Sequence, residues 1–319
     1  QGLGRMTGSR TGRLAALARP EPFDIAVVGG GATGLGVALD AALRGFSVVL
    51  LESHDFAGGT SSRSTKLLHG GVRYLAQGNI GLVREALHER GLLNRNAPHL
   101  VWPLGFVVPA YNLLDQPFYG VGLKMYDMLA GKLNLSPSRW LSRRETLANA
   151  PTLAENVNGR GLKGGVLYYD GQFDDARLAL AIARTAASAG ATVLNHAEVT
   201  GLQRSDGLST LDVTDRLTGQ CHTVRARCVV NATGVWVDAL REAGGTPSHM
   251  VSPSQGVHLV VDRDFMPGDH ALLVPRTRDG RVLFAVPWLG KLILGTTDTP
   301  RRDLAREPRP FEEELEFIL

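Results

Sequence analysis

The sequence predicts an α/β protein in which a Rossmann-like nucleotide-binding domain is interrupted by a second domain with a mixed or antiparallel sheet. A strand–helix–strand unit over residues 23–52 contains a glycine-rich turn. Amphipathic helical segments then alternate with short apolar runs, as expected for βαβ units. A later apolar pair, Val229-Val230, is predicted to return to the first sheet after a strand-rich insertion.

The first unit reads FDIAVVGGGATGLGVALDAALRGFSVVLLE and contains the pattern G-x-G-x-x-G. Gly29 allows a tight turn, Gly31 allows close approach of a pyrophosphate, and Gly34 allows the helix to pack on the strand. The helix N-terminus favours phosphate groups. Glu52, 18 residues after the last glycine, can accept hydrogen bonds from both hydroxyls of an adenosine ribose. The unit therefore predicts a bound dinucleotide; FAD and NAD both remain open, whereas an acid at this position argues against NADP.

The composition is that of a soluble globular chain, with 319 residues, 44% hydrophobic and 20% charged side chains. The net charge of +3 comes from the N-terminus, since residues 1–20 hold four arginines and no acid. In the rest of the chain 30 basic side chains face 31 acidic ones, so no nucleic-acid partner is expected. Residues 1–22 are predicted to be a disordered basic extension, with contact to anionic lipid as the alternative.

The cysteine and histidine spacings indicate neither a disulfide framework nor a metal site. Cys221 and Cys228 are seven residues apart and form no CxxC motif. Both are predicted to be buried strand residues, which fits a reducing cytoplasm. No apolar run reaches transmembrane length. Residues 118–135 predict an amphipathic helix that either packs on its own domain or lies on a membrane surface.

Hydrophobic periodicity assigns the remaining elements. Helices are predicted at 82–94, 141–148 and 174–189, and strands at 101–110, 162–169, 192–196, 258–261 and 281–287. Residues 58–75 are predicted to be a polar loop that runs into a helix, and residues 198–230 a β-meander with a turn at 218–220. The predicted domains are the extension 1–22, the nucleotide-binding domain at 23–100 and 150–250, and the second domain at 101–149 and 251–319.

The stretch from Thr60 to Leu75, TSSRSTKLLHGGVRYL, closely resembles the signature TSS-x-S-(S/T)-KL-(I/L)-HGG-x-RYL of the FAD-dependent glycerol-3-phosphate dehydrogenases of the respiratory, aerobic type. The supporting matches are APHL at 97–100, DDARL at 174–178, NATG-x-W at 231–236, VPW at 286–288 and GTTD at 295–298. The resemblance extends from about residue 23 to the end. It implies an FAD-binding fold of the glutathione-reductase or D-amino-acid-oxidase type, with the second domain binding substrate.

The resemblance implies oxidation of sn-glycerol 3-phosphate to dihydroxyacetone phosphate, with transfer of the C2 hydride to FAD and of electrons to a membrane quinone. This chemistry requires a cation for the phosphate, a base for the C2 hydroxyl, and positive charge near the flavin N1/C2 carbonyl. The implied partners are glycerol 3-phosphate, the quinone and the inner face of the cytoplasmic membrane, which the protein would contact peripherally. A homodimer is left open.

The resemblance also assigns the catalytic and substrate-binding residues. Arg73 matches the family's substrate-binding arginine, and its guanidinium fork can grip a phosphate. Tyr74 either donates its hydroxyl to the same ligand or is a core aromatic residue. His258, in the sequence QGVH, matches a strand-borne histidine that faces the substrate, and its near-neutral pKa suits a general base. The alternative for His258 is a buried structural histidine.

The loop after the first βαβ unit and the strand ends are expected to complete the cofactor site. Lys66 is expected to bring its charge near the pyrophosphate or the ring of FAD. The backbone of Val199 would read the adenine, and Trp236 would contact the cofactor or pack beside it. The full set of predicted cofactor-binding residues is Gly29, Gly31, Gly34, Glu52, Ser53, Thr60, Ser61, Ser62, Lys66, Leu68, Val199, Gly234 and Trp236.

Two other functions remain open at this point. One is a flavin oxidase of the same fold that uses oxygen and acts on glycerol 3-phosphate or on a small amine such as glycine. The other is a non-catalytic FAD-binding fragment. The family continues beyond the length of this chain with an S-G-x-R-P segment, a further lysine and a C-terminal helical domain. Because the chain ends within a predicted amphipathic helix at 311–319, we expect a truncated chain that lacks this helical domain.

Overall fold

A computed structural model describes residues 9–71, 74–75, 78–112, 115–246, 249–275, 277 and 282–319. In these residues the α-helices are α1 (Arg10–Ala15), α2 (Ala32–Leu43), α3 (Ile80–Asn96), α4 (Asp115–Ala130), α5 (Arg143–Asn149), α6 (Asp175–Ser188), α7 (Val237–Ala243) and α8 (Glu312–Ile318). The strands are β1 (Phe23–Val28), β2 (Val48–Leu51), β3 (Leu67–Leu68), β4 (Val101–Ala110), β5 (Arg139–Ser142), β6 (Asn156–Val157), β7 (Arg160–Gly161), β8 (Gly164–Phe173), β9 (Thr192–Leu194), β10 (Ala197–Ser205), β11 (Leu208–Asp215), β12 (Cys221–Asn231), β13 (Ser254–Gln255), β14 (His258–Asp262), β15 (Ala271–Val274), β16 (Leu283–Trp288), β17 (Lys291–Gly295) and β18 (Thr299–Pro300).

The chain divides into two compact units, and both are discontinuous in sequence. Unit 1 comprises Gln1–Ser64, Asp175–Pro253 and Pro300–Glu307, and unit 2 comprises Thr65–Asp174, Ser254–Thr299 and Pro308–Leu319. This division differs from the predicted domains, because residues 65–100 and 150–174 belong to unit 2. The reason lies in strand pairing: β3 and β4 both pair with β8, and α3 packs against the same sheet through Val83 and Leu87.

Unit 1 contains a sheet in the order β10-β11-β12-β1-β2-β9. Strand β1 runs parallel to β2 and β12, and β2 runs parallel to β9. Strands β10, β11 and β12 form an antiparallel meander. The predicted βαβ unit is confirmed, as is the return of Val229 and Val230 to the first sheet, where they pair with β1.

The helices of unit 1 pack closely because alanine dominates their buried faces. Ala38, Ala41 and Ala42 of α2 share one core cluster with Ala183 and Ala186 of α6. Every residue of β2 is buried, as is usual for a parallel strand covered on both faces. The packing of small side chains brings α2 near the sheet at the point where it leaves the glycine turn.

Residues 9–22 are folded against the rest of unit 1, so the prediction of a disordered extension is wrong for these residues. Residues 10–15 form α1, and Leu17 is buried in the core of unit 1. The Arg10 guanidinium donates to the Asp215 carboxylate at 2.5 Å and to the carbonyl oxygen of Asn195 at 2.8 Å. The side chain of Asp215 is fully buried, so Arg10 compensates a charge that would otherwise be costly to bury.

Unit 2 contains a mixed sheet in the order β14-β17-β16-β15-β4-β8-β3, with β5 also paired to β8. Most pairs are antiparallel, whereas β15 and β4 are parallel. Its core includes Phe106, which stacks on Tyr168. The predicted strand at 101–110 is confirmed as β4 and the helix predicted at 118–135 as α4. Of the helices that the structure describes, none combines the length and the apolar character needed to cross a membrane.

Both cysteines are exposed, so the prediction that they are buried is wrong. They lie on β12 as predicted, but this strand is covered on one face only: Val224 and Ala226 are buried, and the residues between and beside them are exposed. Within the described residues, no group of three or more His, Cys, Asp or Glu is arranged to hold a metal ion.

Candidate functional site

The glycine turn of unit 1 has no room for side chains at two of its predicted positions. Gly29 follows β1 with φ of +110°, and a Cβ built there would lie 2.4 Å from the carbonyl oxygen of Ala232. A Cβ on Gly34 would lie 2.0 Å from the carbonyl oxygen of Gly29. A larger residue at Gly29 would therefore displace the segment after β12, and one at Gly34 would push α2 away from the turn. Gly34 thus keeps the start of α2 close to the end of β1.

Glu52 follows the carboxyl end of β2 and reaches back to the glycine turn. Its Oε2 atom accepts the backbone N–H of Gly30 at 2.7 Å, and its Oε1 atom accepts the backbone N–H of His54 at 2.7 Å. The Ser53 hydroxyl also donates to Oε1, at 3.2 Å. A carboxylate offers about four lone-pair positions, so Glu52 can hold the turn and still accept a ribose hydroxyl.

The start of α2 is suited to an anion. Its N-cap residue, Gly31, supplies no side-chain cap, and N–H groups of a first helical turn have no acceptor within the helix. The Ser61 hydroxyl, in the 3-10 turn Thr60–Ser62, accepts the N–H of Ala32 at 2.9 Å. The polar loop predicted to wrap the cofactor therefore lies at the helix N-terminus.

The other predicted cofactor residues of unit 1 lie in β10 and in the 3-10 turn Gly234–Trp236. Val199 lies in β10 opposite Val213, directly before a register shift, and its side chain packs on the core of unit 1. Gly234 has φ of +63°, a conformation that glycine adopts without strain. The Trp236 indole N–H donates to the carbonyl oxygen of Leu304 at 3.2 Å.

The residues of unit 1 fit a dinucleotide: a glycine cradle, a helix start whose N-cap residue is Gly31, and a carboxylate after β2 come together at one edge of the parallel strands. The predicted residues found in unit 1 are Gly29, Gly31, Gly34, Glu52, Ser53, Thr60, Ser61, Ser62, Val199, Gly234 and Trp236. Those in unit 2 are Lys66, Leu68, Tyr74 and His258. Arg73 lies outside the described residues.

In unit 2, His258 lies beside the signature stretch. Its Nε2 atom is 2.8 Å from the Thr65 hydroxyl oxygen. Burial of the ring, and then the positive charge of Lys66, hold the pKa of His258 below its ordinary value. His258 is therefore neutral at pH 7, the state in which a histidine can accept a proton. A Cβ on Gly295, its partner on β17, would lie 2.7 Å from the imidazole, so this glycine makes room for the ring.

The remaining signature residues have distinct environments. Lys66 has φ of +63°, and its carbonyl oxygen accepts the N–H of Phe173. Leu68 pairs with Gly171 across β3 and β8. Tyr74 is 41% exposed, so it is not the core aromatic residue that was one of its two predicted alternatives. Its hydroxyl remains a candidate donor to a ligand.

The segment just before the strand that carries His258 is tied to α8 by the buried carboxylate of Glu314. Glu314 accepts hydrogen bonds from the Gln255 amide at 2.7 Å and from the Thr297 hydroxyl at 3.0 Å. The Thr297 hydroxyl in turn accepts the N–H of Val257 at 3.0 Å. Burial raises the pKa of Glu314, but hydrogen bonds, first from the Phe311 N–H, outweigh it and hold this pKa below its ordinary value.

The sequence model of the FAD dependent oxidoreductases matches residues 24–319. The chain belongs to this family. FAD is therefore the cofactor, which decides between the two dinucleotides that the glycine turn left open, and the predicted FAD-binding α/β fold is confirmed.

Curated relatives of this FAD dependent oxidoreductase include mitochondrial glycerol-3-phosphate dehydrogenases. The mitochondrial glycerol-3-phosphate dehydrogenase of Arabidopsis thaliana is 45% identical over 317 residues, which cover 96% of this chain and 50% of that protein. The mitochondrial glycerol-3-phosphate dehydrogenase of Homo sapiens is 46% identical over an alignment of 329 positions that includes gaps, and the match covers 98% of this chain and 44% of that protein. The chain thus spans about half the length of these relatives.

Solved structures show the same fold. Glycerol-3-phosphate dehydrogenase from Bacillus halodurans, complexed with FAD, is 36% identical with a TM-score of 0.74 and is matched over 97% of this chain and 54% of its own. Glycine oxidase from Geobacillus kaustophilus is 27% identical with a TM-score of 0.70, over 93% of this chain and 76% of its own.

The sequence did not point to three residues near the predicted sites of the oxidoreductase. Thr65 lies inside the signature, but nothing in the local sequence indicates that its hydroxyl meets His258. Glu314 falls in a helix that the sequence marked only as amphipathic. Arg306, whose guanidinium lies 4.1 Å from the Trp236 ring centroid, belongs to an arginine-rich segment with no motif. In each case the partner is far away in sequence, so local pattern carries no signal.

Proposed function

We propose that this FAD dependent oxidoreductase oxidises glycerol 3-phosphate to dihydroxyacetone phosphate. The names of relatives 45–46% identical over almost the whole chain support this substrate. The observation that carries the proposal is the pairing of a neutral His258 with Thr65, because it joins the strand-borne histidine to the signature stretch.

In this proposal His258 receives the proton of the C2 hydroxyl at an imidazole nitrogen. Thr65 fixes the orientation of the ring through Nε2. Burial, and then the charge of Lys66, lower the pKa of the ring so that it is unprotonated before substrate binds. Arg73 binds the substrate phosphate through its guanidinium fork, and the exposed Tyr74 donates its hydroxyl to the same ligand. FAD, when bound, supplies the acceptor for the C2 hydride.

We extend the proposal to a membrane quinone as electron acceptor and to peripheral attachment at the inner face of the cytoplasmic membrane. The exposed apolar residues Val121, Met125 and Met128 support a surface contact, because they lie at i, i+4 and i+7 on α4. The nearby lysines, Lys124 and Lys132, suit anionic headgroups. Sedimentation with vesicles of anionic and of neutral lipid tests this contact; a Met128→Glu variant that still pellets fully with anionic vesicles would contradict it.

The decisive test of the activity is an anaerobic visible spectrum of the purified, FAD-loaded chain before and after addition of glycerol 3-phosphate. We expect the flavin band to bleach. Arg73→Ala should retain the flavin spectrum and need a much higher substrate concentration, whereas His258→Ala should bleach more slowly at saturation. A wild-type chain that holds FAD but never bleaches would contradict the activity and favour a non-catalytic FAD-binding role for these residues.

A second candidate is an oxidase of the same fold that passes electrons to oxygen. The likeness to a glycine oxidase, at 27% identity and a TM-score of 0.70, supports this alternative. Aerobic turnover with glycerol 3-phosphate and with glycine separates the two. Stoichiometric hydrogen peroxide with either compound favours the oxidase, and bleaching by glycerol 3-phosphate with little peroxide favours the dehydrogenase. We also propose that the chain forms a homodimer. Sedimentation velocity on the same preparation tests this.

A further inference from the structure

Residues 304–307, which we call the strap, lie against the cofactor-binding edge of unit 1. The carbonyl oxygen of Leu304 accepts the indole N–H of Trp236. The Arg306 guanidinium stacks over the Trp236 ring, 4.1 Å from its centroid, and donates to the Ser53 hydroxyl at 3.1 Å. Glu307 pairs with Arg63 at 2.6 Å.

All the partners of the strap come from segments that border the glycine turn. Ser53 donates to Glu52, the carboxylate that follows β2 and holds the N–H of Gly30 in the turn. Trp236 follows the positive-φ Gly234 by two residues and lies close to Gly59, whose added Cβ would be 3.7 Å from the indole ring. Arg306 therefore reaches the two segments, after β2 and after β12, that flank the turn on either side.

Among the residues that the structure describes, no carboxylate pairs with the Arg306 guanidinium. The guanidinium stacks on the Trp236 ring and donates to the Ser53 hydroxyl. Burial lowers the pKa of His54, and the positive charge of Arg306 lowers it further. Stacking on an aromatic ring fixes the plane of a guanidinium while leaving its N–H groups available to a second ligand. A dinucleotide brings two phosphate charges to this edge, and phosphate is the group that such a fork binds best.

The strap itself is held by exposed contacts. Residues 302–310 are exposed, and the Arg63–Glu307 pair has side-chain exposures of 42% and 83%. Exposed ion pairs of this kind contribute little to stability. The segment can therefore open for a ligand at small cost, and a ligand that engages Arg306 would hold it closed.

We propose that Arg306 binds the phosphate groups of bound FAD and that the strap thereby slows release of the cofactor. The proposal depends on FAD as the cofactor and is independent of glycerol 3-phosphate as the substrate. It adds to the site a cation that comes from more than 250 residues after Ser53 in the sequence, outside the βαβ unit.

The test is the affinity of the apoprotein for FAD and the rate of FAD release, both measured by flavin fluorescence at low and high salt. The variants are Arg306→Ala, Arg306→Lys and the matched control Arg302→Ala, which removes an exposed arginine four residues away. A charge-assisted hydrogen bond to phosphate corresponds to about a tenfold change in Kd. We expect Arg306→Ala to raise Kd by about this factor and to release FAD faster, with a smaller difference at high salt. Arg306→Lys should lie between Arg306→Ala and wild type, and Arg302→Ala should match wild type.

Each other result overturns the proposal. An unchanged Kd in Arg306→Ala, in a variant whose urea unfolding matches wild type, removes Arg306 from the cofactor site. Tighter FAD binding in Arg306→Ala shows that the strap competes with the cofactor. An equal loss of FAD affinity in Arg306→Ala and Arg302→Ala shows that the effect comes from the overall positive charge of the segment and not from a specific contact of Arg306. If the wild-type chain binds no FAD, the assignment of FAD as cofactor is wrong and the proposal fails with it. If the chain binds FAD but glycerol 3-phosphate does not bleach the flavin, only the proposed substrate is contradicted.

Discussion

The hydroxyl of Tyr126 accepts the backbone N–H of Gly70 at 2.8 Å and donates its own proton to Asp170 at 2.8 Å. Tyr126 is buried on α4, and Asp170 pairs with the buried Arg90 at 2.8 Å. The glycine pair of the signature is therefore fixed from inside unit 2. Arg73 follows Gly70 by three residues in the sequence, so this network lies next to the proposed phosphate-binding residue along the chain.

Tyr126→Phe should lower the free energy of unfolding by about 1–3 kcal/mol, because it leaves the buried N–H of Gly70 without its acceptor. It should also raise the KM for glycerol 3-phosphate, with FAD content unchanged, since the stretch before Arg73 loses an anchor. Urea unfolding and steady-state kinetics measure the two effects. Tyr111→Phe is the matched control, because its hydroxyl donates to the carbonyl oxygen of Ala154 elsewhere in unit 2. Equal stability of the two variants would contradict the role given to Tyr126.

Asp170→Asn should be more damaging than Tyr126→Phe. The side chains of Arg90 and Asp170 are each only 1% exposed, and removing one charge of a buried pair typically costs about 3–5 kcal/mol because the other is left uncompensated. Replacing both, as in Arg90→Met with Asp170→Leu, should recover part of that loss. Chemical denaturation of the single and double variants tests this, and a double variant less stable than Asp170→Asn would argue against an uncompensated charge as the cause.

Two glycines of α2 should respond oppositely to alanine. Gly34→Ala places a Cβ 2.0 Å from the carbonyl oxygen of Gly29, so it should displace the turn and abolish or greatly weaken FAD binding. Gly36→Ala meets nothing within 4 Å and should be neutral or stabilise the helix by up to about 1 kcal/mol. Flavin content after reconstitution and thermal unfolding report on both. Normal FAD binding by Gly34→Ala would show that the turn tolerates movement of α2.

Stability should fall on acidification because of His258. Its pKa is lowered in the folded state, first by burial, so the unfolded chain takes up the proton first as the pH decreases through about 6.5. The penalty is absent above that pH and grows until the folded-state pKa is passed. His54 and His270, whose pKa values are also lowered by burial, act in the same direction. His258→Gln should therefore lose less stability than wild type between about pH 7.5 and about pH 5.5, a range that brackets the ordinary histidine pKa. The matched control is His88→Gln, which removes an exposed histidine of α3.

The rate of flavin reduction should depend on the same group. If neutral His258 accepts the hydroxyl proton, kcat/KM rises with pH, with its midpoint below the ordinary histidine value. Removing the charge of Lys66, as in Lys66→Met, should move that midpoint upward, because this charge helps to lower the pKa of His258. Anaerobic stopped-flow reduction across pH gives the midpoint. A midpoint that stays in place in Lys66→Met would separate the observed ionisation from His258.

The sequence by itself determined the βαβ unit, the positions of β4, α3 and α6, and the FAD dependent oxidoreductase fold. These features depend on short-range regularities: a period of two or 3.6 residues, glycines at fixed spacing, and an acid at a strand end. The signature stretch indicated the family, because its residues are specific to that family even though they do not show which structure the stretch forms.

Only the tertiary structure decided which distant residues meet. It joined Arg10 to Asp215, His258 to Thr65, Tyr126 to Gly70 and Arg306 to Trp236. It also left both cysteines of β12 exposed. Local periodicity indicates which face of a helix or strand is apolar. Which residue each side chain contacts is set by how sheets and helices pack over long sequence separations. For that reason the ordered N-terminal helix and the strap over the cofactor edge became visible only in the folded chain.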